Sequence, residues 1–309
     1  MSLESKTTSP HMSEPLREQI AKVLSAYLAD CNVHSPYNFQ LDKAYHDDCF
    51  ADAKSRGIDI QVVKKHLEIG IAFGDTAYRH IKNYSTRIFI GVWTALLVHI
   101  DDFFEEYADG IKEFASRFSR QEPHTVPVLN QMADMSRELN DHWDTISANM
   151  ILAAMLDYLT ATMIENNIEG MEVRSKMAPG FPQFMRTLSG ISKGYCVQVF
   201  PRDLDMKEWI QAMPDLWHFA DFTNDILSFY KEELNGESVN FVSISANAKG
   251  VTKVEALKQL ADHTAGCYQR CSKLLQSSPE ALSAFRDFCV GEIVFHFLSP
   301  RYKLHELQL

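Results

Sequence analysis

The feature that most restricts this chain is the run Ile88 to Ile100, which carries no charge and ends abruptly in Asp101-Asp102-Phe103-Phe104-Glu105-Glu106. A helix that is apolar on every side is a buried helix. The run is also too short to cross a bilayer, so the rest of the chain has to supply the surfaces that cover it. The four carboxylates at its end repel one another and sit at the negative end of the helix dipole. One residue turn separates Asp101 from Glu105, which places both on one face of a continuous helix. Two resolutions are open: the helix emerges into water, where charge runs normally lie, or a divalent cation gathers hard carboxylate oxygens.

The surrounding sequence supplies the covering helices. Apolar residues recur at helical spacing over Leu16 to Leu28, Ile60 to Ile81, Asn83 to Glu106, Met132 to Ile168, Gln183 to Val199, Pro214 to Glu233, Val251 to Leu275 and Pro279 to Leu298. Met132 to Ile168 is long enough for two helices or a bent one. Pro214-Asp215 and Ser278-Pro279-Glu280 are start signals, and Pro300 is a stop. Breaks fall at Arg120–Pro127, Met177–Pro182 and Asn235–Gly236. With only 13 glycines and 11 prolines among 309 residues, and no strand-like alternation, the reading is all-α, about ten helices in one domain. Residues 1–14 read as a loose tail and 15–309 as the domain. That polar N-terminal stretch has the character of neither a signal peptide nor a membrane anchor.

The net charge of −11 argues against a nucleic-acid binder. A phosphate-bearing substrate would need a local basic cluster or metal ions. The six cysteines form no CxxC pair and suggest reduced thiols in a soluble cytoplasmic protein.

A second polar pattern lies in Asn224-Asp225-Ile226-Leu227-Ser228-Phe229-Tyr230-Lys231-Glu232. Asn224, Ser228 and Glu232 follow at i, i+4 and i+8 and so line one helical face with an amide, a hydroxyl and a carboxylate oxygen. Mg²⁺ is often held by few protein groups, with phosphates and waters completing its octahedron. The plain alternative is a polar stripe on a surface helix. Against it, Ile226, Leu227, Phe229 and Tyr230 surround the stripe, and polar groups in such company need partners. Lys231 stands beside the face as a point charge for phosphate.

The spacing N-D-x-x-S-x-x-K-E resembles the metal-binding triad of class I terpene cyclases, and Asp101-Asp102-x-x-Glu105 resembles their aspartate-rich motif. The nearest likeness is to the trichodiene-synthase-like sesquiterpene cyclases, from about residue 60 to the end, with a glutamate at position 105 where a third aspartate is common. The resemblance implies a single-domain helical bundle around a central cavity. It implies three Mg²⁺ ions held by Asp101, with Glu105, on one side and by Asn224, Ser228 and Glu232 on the other. It makes Arg186 the diphosphate-sensing arginine, Ser189 and Gly190 the linker and effector positions at a helix break, and Arg301-Tyr302 the C-terminal pair that meets the diphosphate. Lys231 joins them in neutralising the leaving group.

The implied reaction is ionisation of a linear isoprenoid diphosphate, with farnesyl diphosphate as the expected substrate, and cyclisation of the cation in a dry cavity. For the cavity wall the sequence offers Trp93 and Leu97 before Asp101, Trp217 before Asn224, and Phe297 before Arg301, with Phe73 and Tyr78 behind them. Aromatic faces stabilise cations by about 0.5–2 kcal/mol each, although each of these residues also reads as ordinary core. A homodimer fits the resemblance. The alternatives are a prenyl diphosphate synthase, which usually carries two aspartate-rich motifs, and a non-catalytic helical protein that binds divalent ions.

Overall fold

The computed structural model describes residues 12–174, 176–237 and 239–309. Most of the expected tail therefore lies outside the described residues. Among those described, the chain is all-α, with fourteen α-helices and no strand. Helices α1 (Glu14–Asp30) and α2 (Lys43–Ser55) precede the central pair α3 (Ile60–Ala77) and α4 (Tyr84–Asp102). Next come α5 (Phe104–Arg120), α6 (Pro127–Arg137), the single turn α7 (Leu139–His142) and α8 (Thr145–Asn167). Helices α9 (Phe181–Ser189) and α10 (Ser192–Gln198) lead into α11 (Met213–Asn235), α12 (Phe241–Lys249), α13 (Lys253–Leu274) and α14 (Pro279–Leu298). Short 3₁₀ turns follow at Pro300–Tyr302 and Leu304–Leu307.

Helix starts are set by side chains that accept from otherwise unpaired backbone N–H groups. Asp42, Asp59, Asn83, Asp144, Asn240, Thr252 and Ser278 do this for α2, α3, α4, α8, α12, α13 and α14. The Asp144 cap divides the long Met132 to Ile168 stretch into α6, α7 and α8. Three helices, α2, α5 and α12, are additional to the sequence reading.

Helix α4 is buried on nearly all sides, as its composition requires, with Phe89, Ile90, Val92, Trp93, Leu96 and Ile100 all shielded from solvent. It lies against α3 at unusually close range. A Cβ placed on Gly70 of α3 would collide with the Gly91 carbonyl oxygen and the Ala95 backbone of α4. Gly291 of α14 meets the Thr76 and Ala77 backbone of α3 in the same way. Because backbone rather than a flexible side chain is the obstacle, Gly70→Ala is expected to destabilise the fold by about 2–3 kcal/mol. A thermal melt checks this, and an unchanged midpoint would show that the two helices can part.

Helix α8 is apolar and long enough, by composition, to cross a membrane, with half of its most apolar window buried. Its inner residues Ala148, Ile151, Met155 and Leu159 pack in the common core, which is the behaviour of a core helix in a bundle. All six cysteines are buried free thiols.

Candidate active site

Helices α3, α4, α8, α10, α11 and α14 surround a cavity of about 300 Å³. Each helix contributes a stripe at helical spacing. From α4 come Thr94, Leu97, Val98 and Asp101, and from α14 come Glu292, Phe295, His296 and Ser299. Ile69 and Phe73 of α3, Tyr158 of α8, Tyr195 of α10, and Ala220 and Asn224 of α11 complete most of the wall. The hydroxyl of Tyr195 donates to Thr94 Oγ1 at 3.2 Å, and Phe73 packs edge-on to both Tyr195 and Phe295.

The cavity opens between two polar rims. On one side Asp101, Asp102, Glu105, Glu106, Glu165 and Glu169 line a recess of about 560 Å³. Asp101 is the member that reaches both this recess and the cavity. Helix α4 stops at Asp102 and α5 begins at Phe104, with Phe103 turned out of helical geometry at φ −118° and ψ 28°. Asp101 and Glu105 therefore do not share the face of one continuous helix, as their spacing suggested. They meet because the chain bends between them.

Crowding by protein raises the Asp101 pKa; Asp102 adds to the rise, while a hydrogen bond from the Tyr158 hydroxyl at 3.3 Å and the charge of Arg301 oppose it. Asp102 is braced from behind by His66 at 3.1 Å, which meets His99 at 3.1 Å, which meets the Tyr107 hydroxyl at 3.0 Å. Arg301 approaches Asp102 from the C-terminal 3₁₀ turn at 3.8 Å.

Across the opening, Arg186, Ser189, Asn224, Asp225 and Glu232 line a third recess of about 950 Å³. Ser228 is buried one turn from each of Asn224 and Glu232. Burial raises the pKa of Glu232, against the pull of Ser228 and Lys231. Lys231 Nζ stands 3.8 Å from Glu232 Oε1. Asp225 is pushed up to about 6, chiefly by burial, and Glu165 is raised by burial and by the charge of Asp101.

Arg186 is folded onto α11. Its Nε meets Asp225 at 3.0 Å, and its Nη2 donates to the Asp221 carbonyl at 2.7 Å and to Asn224 Oδ1 at 3.3 Å. Burial works against its charge, and Asp225 and Asp221 more than restore it. The helix ends just beyond, at Ser189. Gly190 follows because a Cβ there would collide with the Asp221 carboxylate and crowd the Arg186 guanidinium. Ile191 takes the left-handed conformation, φ 49°, before α10 begins. Ser189 and Gly190 thus fall at a helix break on the cavity wall, as expected from the sequence.

His296, which sequence reasoning missed, orients Asn224. Its Nδ1 lies 2.8 Å from the Glu292 carbonyl, which can only accept, so Nδ1 carries the proton. Nε2 is then the acceptor, and Asn224 Nδ2 donates to it at 3.2 Å. That fixes the amide with Oδ1 turned towards Arg186 and the rim. Burial lowers the His296 pKa to about 4, so the ring is neutral. Tyr302 packs on the His296 ring with centroids 4.4 Å apart.

Four residues expected in the wall are elsewhere. Trp93 is fully buried behind Tyr195, 5.9 Å between ring centroids. Eight residues advance an α-helix about 80° past whole turns, which carries Trp93 off the face shared by Leu97 and Asp101. Trp217 holds the right face but lies about 10 Å along the axis from Asn224, where the Lys193 ammonium sits 5.2 Å above its ring. Phe297 packs against Tyr37 at 5.2 Å. Counting back four from Arg301 fails because Ser299 is extended, φ −79° and ψ 117°, and Phe295 takes the cavity position instead. Tyr78 is core as well, its hydroxyl donating to the Tyr195 carbonyl at 2.8 Å.

Comparison with known proteins places the chain in a family. The model of the trichodiene synthase (TRI5) family matches residues 74–308. The chain belongs to the trichodiene synthase family. It is 33% identical over 306 residues to an alpha-cuprenene synthase of Coprinopsis cinerea, covering 96% of this chain and 92% of that one. It is 32% identical over 237 residues to a monoterpene synthase of Postia placenta, covering 75% and 70% of the two chains. A solved linalool/nerolidol synthase from Streptomyces clavuligerus shares the fold with a TM-score of 0.62 at 14% identity, over 82% of this chain and 94% of that one. The protein is a terpene synthase, and the chain-elongating and purely ion-binding alternatives lose their support.

Proposed function

We propose that this synthase ionises farnesyl diphosphate with the help of Mg²⁺, cyclises the cation to a sesquiterpene and releases diphosphate. The observation that carries the reading is one cavity that Asp101 of α4 and Asn224 of α11 both line, with Glu232 in the adjoining recess and Ser228 buried on the same helix. The donor set fits Mg²⁺. Its atoms are hard oxygens, and Asp101 and Glu232 are both carboxylates whose charge the protein alone leaves poorly supported. Asp101, Asn224, Ser228 and Glu232 would hold the metal, with Glu105 at the edge of the same rim. When bound, Mg²⁺ supplies Lewis-acid polarisation of the diphosphate oxygens and orients the leaving group.

The remaining work falls to the chain's own side chains. Arg186 offers a planar fork that suits two phosphate oxygens, in a place where burial strengthens its field. Arg301 is half-exposed above Asp102 and can turn to the diphosphate, with Tyr302 beside it and Lys231 next to Glu232. Ser189 and the Gly190 carbonyl border the point where the substrate's charged head meets its apolar tail. Phe73, Leu97, Tyr195 and Phe295 exclude water, and the three aromatic rings among them are available to the cation.

Incubation with geranyl, farnesyl or geranylgeranyl diphosphate and Mg²⁺, followed by analysis of the organic extract, tests this. A cyclic fifteen-carbon product from farnesyl diphosphate, lost on chelation of the metal, is expected. A longer prenyl diphosphate, or no turnover with any of the three, would overturn the reading.

A further inference from the structure

The ionisation machinery leaves one chemically active group in the cavity unused. Glu292 lies on the inner stripe of α14, one turn from Phe295 and His296, and it is 5% exposed. Its Oε2 is buried without a hydrogen-bond partner among the described residues. A buried carboxyl normally secures such a partner, and a hydrocarbon substrate offers it none. The nearby charges are Arg186 and Asp221. Arg186 is already engaged by Asp225, Asn224 and the Asp221 carbonyl, and Asp221 by Ser192 at 2.6 Å.

We infer that Glu292 is the base that ends the cyclisation by taking a proton from the final carbocation. The inference rests on the proposed reaction. A C–H bond next to the cationic carbon breaks, and its electron pair becomes the new C=C bond. The proton forms an O–H bond on the Glu292 carboxylate, so cation and carboxylate give a neutral alkene and a neutral acid. The proton passes to solvent when the product leaves and the cavity is wetted.

Two features favour this assignment. An unpartnered carboxylate is free to accept, because no donor competes for its lone pairs. Arg186 also supports the charge of the ionised Glu292 carboxylate, against burial and Asp221, which favour the protonated acid. Position completes the case. Glu292 lines only the cavity, whereas Asp101 lines both the cavity and a rim, and Glu105 and Glu232 line only the rims.

The test compares the full-length wild type with Glu292→Gln and Glu292→Asp, all with farnesyl diphosphate and Mg²⁺. Diphosphate release and product distribution are measured separately, and thermal melts check folding. Glu292→Gln is expected to release diphosphate within about threefold of wild type. Its main wild-type product should fall at least fivefold relative to alkenes from earlier cations and to water-captured alcohols. Glu292→Asp, which keeps the acid but shortens its reach, should give an intermediate distribution, and it carries the test if the glutamine variant does not fold. Unchanged product ratios in the variants would overturn the inference and leave the departing diphosphate as the base. So would a parallel loss of diphosphate release and product in folded variants. A wild-type chain that releases no diphosphate would instead defeat the proposed reaction.

Discussion

Asn224→Ala and Glu232→Ala are each expected to lower diphosphate release at least about a hundredfold, the scale on which removing one organised electrostatic group acts. Both changes should leave the fold intact. Asn224 would lose hydrogen bonds with Arg186 and His296, each of which contributes about 1 kcal/mol net. Glu232 lies at the rim, and its removal relieves a carboxylate already crowded by Asp225. Single-turnover release of labelled diphosphate, together with circular dichroism, separates the two effects. Release within a few fold of wild type in either variant would contradict the role given to the α11 stripe. Since His296 holds the Asn224 amide in one orientation, Asn224→Asp also departs from the native arrangement: it replaces the Nδ2 donor that His296 requires.

Arg186→Ala should show a different signature, with activity and stability falling together. The guanidinium is the cation shared by Asp225 and Asp221, both buried and both shifted towards protonation. Removing one partner of a buried charge cluster leaves the others uncompensated and costs about 3–5 kcal/mol. Arg186→Lys keeps a charge but cannot serve Asp225, the Asp221 carbonyl and Asn224 from one atom. It should recover much of the stability and little of the diphosphate release. Denaturant unfolding beside the release assay reads both quantities. A fully stable alanine variant would mean that the carboxylates are neutral in the resting protein.

The α11 motif was legible in the sequence because it is written on one helix, and the Asp101–Glu106 motif because its carboxylates are close along the chain, although it runs from the end of α4 into α5. Asn224, Ser228 and Glu232 need only the α-helical repeat to come together, and Gly190 marks its break by a missing side chain. The wall was harder to read. Leu97 follows from Asp101 by a single turn, but Trp93 is a second turn further, where the accumulated rotation takes it off the face. Phe297 was misplaced because Pro300 interrupts the helix between it and Arg301. His296 and Glu292 gave no signal of their own, since a lone polar residue in an apolar helix looks the same whether it faces a cavity or a neighbour. The bend at Phe103 was hidden as well. Its residue type is at home in a helix, and only the packed structure places it between α4 and α5.

The contact between α3 and α4 has a mechanical consequence. With Gly70 seated on the Gly91 carbonyl and on Ala95, the backbones of these helices touch without side chains to act as a cushion. They form a stiff plate, and Asp101 is bolted to its edge. Across the opening, Arg186 is held by polar contacts and α9 is broken at Gly190, so that wall is jointed. Whatever movement accompanies filling of the cavity therefore belongs to the α9 and α11 side. Sequence drift that reshapes the hydrocarbon can accumulate in the side chains facing the plate without loosening the post on which Asp101 stands.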